Sequence, residues 1–182
     1  FLRREYVIEH AEWTVKRADD GGTPPSLMQS LLLSYLYTAD GTSSIDLWVG
    51  FRELPSGLFY AQAFQGYTGA ELVRNLNGDV TAFRQASEKL QAAALAIGDA
   101  GYAFQVLPHL KLAVVMWAGD DEFPSQAQVL FQESAPHYLV TEGLAIVGSL
   151  LIGQIVEAVL GISDEGFVDD GGEFFPQPRH AV

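Results

Sequence analysis

The sequence contains no cysteine. A disulfide framework, a thiolate zinc site and a cysteine-ligated iron–sulfur cluster are therefore excluded for this chain. Basic residues are also scarce: 10 Lys+Arg stand against 23 Asp+Glu, a formal net charge of −13. Duplex nucleic acid and anionic membrane both require a positive footprint, so neither is expected as a partner. Long apolar runs are missing too. The most apolar stretch, Gly143 to Val156 between Glu142 and Glu157, is shorter than the roughly 18–20 residues a bilayer span needs, and it reads as a buried core helix. No basic-then-apolar leader occurs over Phe1 to Asp20, where charges are mixed throughout; the expectation is a cytoplasmic protein without a membrane span. Neither GxxxxGK[ST] nor GxGxxG is present, nor GxSxG or HExxH, which removes the commonest nucleotide, hydrolase and zincin sites.

What is present is globular composition, 48% hydrophobic and 12% aromatic over 182 residues, enough for one substantial core. The expected organisation is one α+β domain over residues 1–162 followed by an acidic tail at 163–182. Tyr6, Ile8, Trp13 and Val15 lie among charges and are assigned to a first helix ending at Asp19-Asp20-Gly21-Gly22. A second helix begins after Pro24-Pro25 with Ser26 as cap, and Leu27, Met28, Leu31, Leu32, Tyr35 and Leu36 recur at helical spacing. Ile45, Leu47, Val49 and Phe51 alternate with Asp46, Trp48, Gly50 and Arg52, as in a half-buried strand. Pro55-Ser56-Gly57 then turns into Leu58–Phe64 as its hairpin partner. Helices are expected at Ala70–Leu76 and Val80–Ala96, separated by Asn77-Gly78-Asp79. Tyr102–Leu107 and Lys111–Trp117 form an antiparallel pair around Pro108-His109. The unbroken apolar run Leu112–Met116 is that of a strand covered on both faces. A long apolar helix runs from Pro136 or Thr141 to Leu160. The fold class is thus α+β, a mostly antiparallel sheet of four to five strands with helices packed on it.

Two groups of residues carry candidate chemistry. Trp48, Arg52 and Glu53 place a guanidinium on the strand face of an indole, where Arg52 can grip a carboxylate or phosphate while Trp48 stacks on a ring. The plainer reading is a local Arg52–Glu53 ion pair beside a surface tryptophan. Asp120, Asp121 and Glu122 follow the buried strand. Ser134, His137, Tyr138 and Glu142 stand at the entrance of the long helix. Carboxylates facing an imidazole can ligate a divalent metal, through Asp120, Asp121, Glu122 and His137, or supply acid/base chemistry. Here the plainer reading is a solvated acidic loop with Ser134 capping a turn. Each group lies at the end of a core element, so Arg52, Glu53, Asp120, Glu122 and His137 are expected to converge on one pocket. His10, His109 and His180 have no partner nearby in sequence.

The segment WAGDDEFPSQAQVLFQESAPHYLVTEGLAIVGSLL (Trp117 to Leu151), preceded in order by TADGT (Thr38 to Thr42) and WVGFRELPSG (Trp48 to Gly57), resembles a prokaryotic family known as domain of unknown function 3786. The resemblance covers most of Leu31 to Leu160. It implies that some members adjoin a four-cysteine iron–sulfur segment of the kind found in corrinoid iron–sulfur proteins; this chain has none. It also implies a histidine before Tyr35-Leu36, where Ser34 stands here. No activity comes with the family.

Three functions follow as expectations. The first is a binding or accessory domain for a small anionic or cofactor-like ligand, such as a metallated tetrapyrrole or corrinoid, held by Trp48, Arg52, Glu53, Ser134, His137, Tyr138 and Glu142. The second is a metal-assisted, hydrolase-like enzyme using Asp120, Asp121 or Glu122 with His137. The third is an acidic scaffold for a protein partner.

Overall fold

Five strands form an antiparallel sheet in the order β3-β7-β6-β5-β4 in the computed structural model, which describes residues 1–2 and 4–161. Its middle is β5 (Ala100–Leu107), β6 (Leu110–Trp117) and β7 (Gln126–Gln132); its edges are β3 (Trp48–Gly50) and β4 (Ala93–Leu95). The expected antiparallel pair is there, with Tyr102 opposite Val114. β6 pairs in turn with β7, Val114 facing Val129. Leu112, Ala113, Val114, Val115 and Met116 are all fully buried, which is why their run shows no polar alternation.

Helices α1 (Ser26–Thr38), α2 (Ala61–Tyr67), α3 (Gly69–Leu76), α4 (Val80–Lys89) and α5 (Thr141–Leu160) complete the α+β architecture. α3 packs on β7 and, with α4, on α5. The break between α3 and α4 forms as its residues dictate: Asn77 takes the left-handed conformation and Asp79 Oδ1 accepts from the amides of Thr81 (2.8 Å) and Ala82 (3.0 Å). α5 buries Leu144, Val147, Gly148, Leu151, Ile152 and Ile155, and at Gly148 it presses against the rings of Phe64 and Phe131. At 20 residues α5 is long and apolar enough to cross a membrane. That test is equally met by a core helix, the role its buried face has here.

Three assignments need correction. Residues 6–17 are a hairpin, β1 (Tyr6–Glu9) with β2 (Thr14–Arg17), and not a helix. Tyr6 and Ile8 are half-buried while Val7 and Glu9 are exposed, a period of two that β-branched Val7, Ile8 and Val15 favour. Leu58–Phe64 is no hairpin partner: a 3-10 turn at Gly57–Phe59 leads into α2. The helical path carries Phe64 onto Phe51, where the two rings stack 4.1 Å apart. Finally, α4 stops at Lys89, and Gln91 at φ 56° turns the chain into β4. The alanines of residues 92–94 favour a helix, but pairing with β5 overrides that weak preference. The tail assigned to 163–182 lies outside the described residues.

Candidate functional site

β3 ends at Gly50, which is still opposite Leu130 and whose amide, turned away from β7, donates to Glu53 Oε2 2.7 Å away. Phe51–Glu53 then wind into a 3-10 turn. Arg52 therefore leaves the strand, and the expected sharing of a face with Trp48 does not hold. Glu53 is a structural acceptor for the turn. Trp48 sits half-buried opposite Gln132.

Arg52 opens instead onto a groove of about 460 Å³ between α2 and the ends of β6 and β7. Gln62 and Gln65 line it from α2, Trp117 from β6, Gln126 and Gln128 from β7, together with Phe51 and Phe64. Trp117 lies directly opposite Gln126 in the ladder, and residues i and i+2 of a strand share a face, so indole and both β7 amides point the same way. Gln65 Nε2 donates to the Ala127 carbonyl at 2.8 Å and pins α2 to β7. The sequence signal for this wall was the alternation of Gln126 and Gln128 with buried Ala127 and Val129. Arg52 is exposed and makes no ion pair with any described carboxylate.

The acidic loop beyond Trp117 is organised by its own backbone. Asp120 Oδ1 accepts from the amides of Glu122 (2.9 Å) and Phe123 (2.8 Å). These bonds, that from Glu122 first, hold the Asp120 carboxyl below its usual value. Asp121 and Glu122 are exposed.

His137 is elsewhere. It follows β7, whereas the acids precede it, and a seven-residue strand separates them by about 20 Å. Arg52, Glu53, Asp120, Glu122 and His137 thus do not converge on one pocket. Among the described residues, no group of three or more His, Asp or Glu could hold a metal ion.

His137 instead ties down a strap formed by residues 39–47. Its Nδ1 lies 2.8 Å from Asp40 Oδ2 and 3.3 Å from Thr42 Oγ1. An ionised carboxylate only accepts, so Nδ1 carries the hydrogen of the pair. The Tyr138 hydroxyl donates to the Thr42 carbonyl, and Ile45 donates to Ser134 Oγ at 3.3 Å. Asp46 accepts from Gln132 (2.8 Å) and from Lys111 (3.1 Å). The Tyr138 ring, buried, is stacked between Tyr35 and His109, and the Tyr35 hydroxyl accepts from the His109 amide at 3.3 Å. Ser134, His137 and Tyr138 thus anchor the strap, with a cavity of about 310 Å³ between its residues 41–44, His109 and Tyr138. Glu142 points to water from the first turn of α5. Sequence reasoning missed Asp40, Thr42 and His109, whose partners lie far along the chain.

The bonds from Thr42 and then His137 hold the Asp40 carboxyl at about 2, against an ordinary 3.8. A depressed carboxyl stabilises the fold above its unfolded pKa and loses that contribution as pH falls through the folded value. The melting temperature of the protein should therefore exceed that of Asp40→Asn near neutrality, and the gap should close between about pH 4 and about pH 2. A constant gap across that range in a thermal-denaturation series would show that the pair does not couple to stability.

The strap and the helix entrance unite the Thr38–Thr42 and Ser134–Leu139 strings, while Trp48–Gly57 and Trp117–Pro124 flank the groove. The family model described as Domain of unknown function (DUF3786) matches residues 1–154. The chain belongs to this family. No curated protein and no solved structure matches it. Within this DUF3786 domain the groove offers a cation and an aromatic face, and the strap a buried aromatic stack.

Proposed function

We propose that this DUF3786 domain binds a small planar molecule bearing a carboxylate or phosphate, seated in the Arg52 groove. One observation carries the reading: in a chain of net charge −13, Arg52 makes no ion pair with any described carboxylate and borders a groove that also presents an indole. A guanidinium left in that position is a bidentate receptor for an oxyanion. Trp117, 36% exposed, supplies a ring face for stacking. Gln62, Gln126 and Gln128 can both donate to and accept from a ring edge. About 460 Å³ is within the range of small-molecule sites, on the order of 300–1,000 Å³. A tetrapyrrole with carboxylate arms belongs to this class. No described histidine lines the groove, so an axial imidazole is not part of the reading.

The test is a thermal-shift screen of ring carboxylates, ring phosphates and tetrapyrroles on the protein and on Arg52→Met. A ligand at about 100 times its Kd stabilises the folded state by about 2.7 kcal/mol. The protein should show that shift and Arg52→Met should lose it, with Trp117→Ala intermediate. Equal shifts in the protein and in Arg52→Met, or none across the panel, would refute the assignment.

A further inference from the structure

Arg52 and Trp117 border the same groove from different elements, and the ladder sets how far apart their backbones start. Trp117 lies opposite Gln126. Gly50, the last residue before the turn that carries Arg52, lies opposite Leu130. Positions 126 and 130 of β7 are about 13 Å apart at the rise of a strand. Gln128 stands between them, its Nε2 3.4 Å from the place a β-carbon on Gly50 would take. Trp117 is braced at its ring, since a β-carbon on Gly98 would lie 3.3 Å from Trp117 Cε2. Gln65 is committed to the Ala127 carbonyl. The side-chain amides of Gln62, Gln126 and Gln128 bond to no described residue, and all three line the groove. Arg52 is the one cation among the lining residues.

We propose that the ligand of this groove is an adenine nucleotide with a single phosphate, an inference that rests on the reading of the Arg52 groove as a binding site. Three features select it among planar anions. The first is separation. A ring with its anion attached directly, such as benzoate, is short for a site whose indole and guanidinium start about 13 Å apart, whereas a ribose holds base and phosphate away from each other. The second is the set of amides. A glutamine presents a donor beside an acceptor, the complement of adenine at N6 and N7; guanine presents two acceptors on that edge, which calls for Arg or Lys. A ring with an apolar rim leaves all three amides unused. The third is charge. One guanidinium matches one phosphate, and the further phosphates of a triphosphate would meet no second cation in the groove of a chain of net charge −13. The base then stacks on Trp117, the glutamines read its edge and Arg52 takes the phosphate.

Isothermal titration calorimetry on the full chain tests this with adenosine monophosphate, guanosine monophosphate, adenosine, adenosine triphosphate, phenyl phosphate and a tetrapyrrole. Adenosine monophosphate should bind about tenfold more tightly than guanosine monophosphate. It should exceed adenosine, which lacks the anion, by about tenfold or more, and the triphosphate should bind no more tightly than the monophosphate. Gln126→Leu combined with Gln128→Leu should abolish the preference for adenine and leave the affinity for phenyl phosphate, which engages Arg52 without an edge to read, unchanged. Equal affinities for the two monophosphates would overturn the proposal, as would a preference that survives loss of both glutamines, phenyl phosphate binding as tightly as adenosine monophosphate, or a tighter triphosphate. Should the double variant fail to fold, the comparison of ligands on the unmodified protein decides alone. Phenyl phosphate or the tetrapyrrole binding through Arg52, with adenosine monophosphate ignored, would sink the nucleotide and leave the groove standing as a site. Binding by none of them would sink both.

Discussion

Val114→Asp should leave little folded protein at room temperature. Val114 is fully buried in β6, and β6 is flanked by β5 and β7. A carboxylate there would have no cation and no donor to spare, because its neighbours across the ladders are Tyr102 and Val129, whose backbone groups are paired. Breaking solvation without compensation costs about 3–5 kcal/mol, a large part of the about 5–15 kcal/mol that separates folded from unfolded domains. Val114→Ala removes the same side chain without burying charge and should cost only about 2 kcal/mol. Circular dichroism with urea titration distinguishes the two. A Val114→Asp protein that unfolds near the parent's midpoint would mean that β6 is not the centre of the sheet.

The second large effect is expected at Gly57. A β-carbon there would stand far inside van der Waals contact with the Phe51 carbonyl oxygen. That atom belongs to the backbone of the turn presenting Arg52, so it cannot swing aside as a side chain would. Gly57→Ala should cost about 3 kcal/mol through forced displacement of the turn, and ligand shifts in the groove should fall with it. Gly66, in α2, is the internal control: nothing lies within 4 Å of its β-carbon position. Gly66→Ala should be neutral or stabilising by up to about 1 kcal/mol. Similar midpoints for the two alanine variants in denaturant titrations would show that the close approach at Gly57 relaxes without cost.

Much of the fold was legible in the sequence where one physical signal dominated. Unbroken apolarity located β6, Pro24-Pro25 and helical spacing located α1, and Asn77-Gly78-Asp79 separated α3 from α4. The failures lie where two signals conflict. Tyr6 to Arg17 carries helix-compatible charges on a strand-forming β-branched frame, and its tertiary partners decide the matter. Leu58–Phe64 follows a turn that reads equally as a hairpin or as the start of a helix; the demand that Phe64 reach Phe51 selects the helix. In the site, Arg52 was identifiable as a type of residue. Its setting was not, because the 3-10 turn at Phe51–Glu53 takes it off the strand that carries Trp48 and onto the groove that Trp117 lines. His137 was expected to face Asp120, Asp121 and Glu122; it pairs with Asp40 instead, and no local pattern announces a pair so far apart in the chain.

The strap also bears on the order in which the molecule assembles. β5, β6 and β7 are joined as consecutive hairpins, so each finds its neighbour by closing a short loop. The ties at Ser134 and His137 bridge 89 and 97 residues, and their loop-closure entropy is recovered only after β7 is in place. The strap and β3 are therefore expected to form last in folding and to open first. Interactions formed after the transition state govern how long a native molecule survives more than how fast it forms. Loss of the Asp40–His137 tie is therefore expected to speed unfolding more than it slows folding.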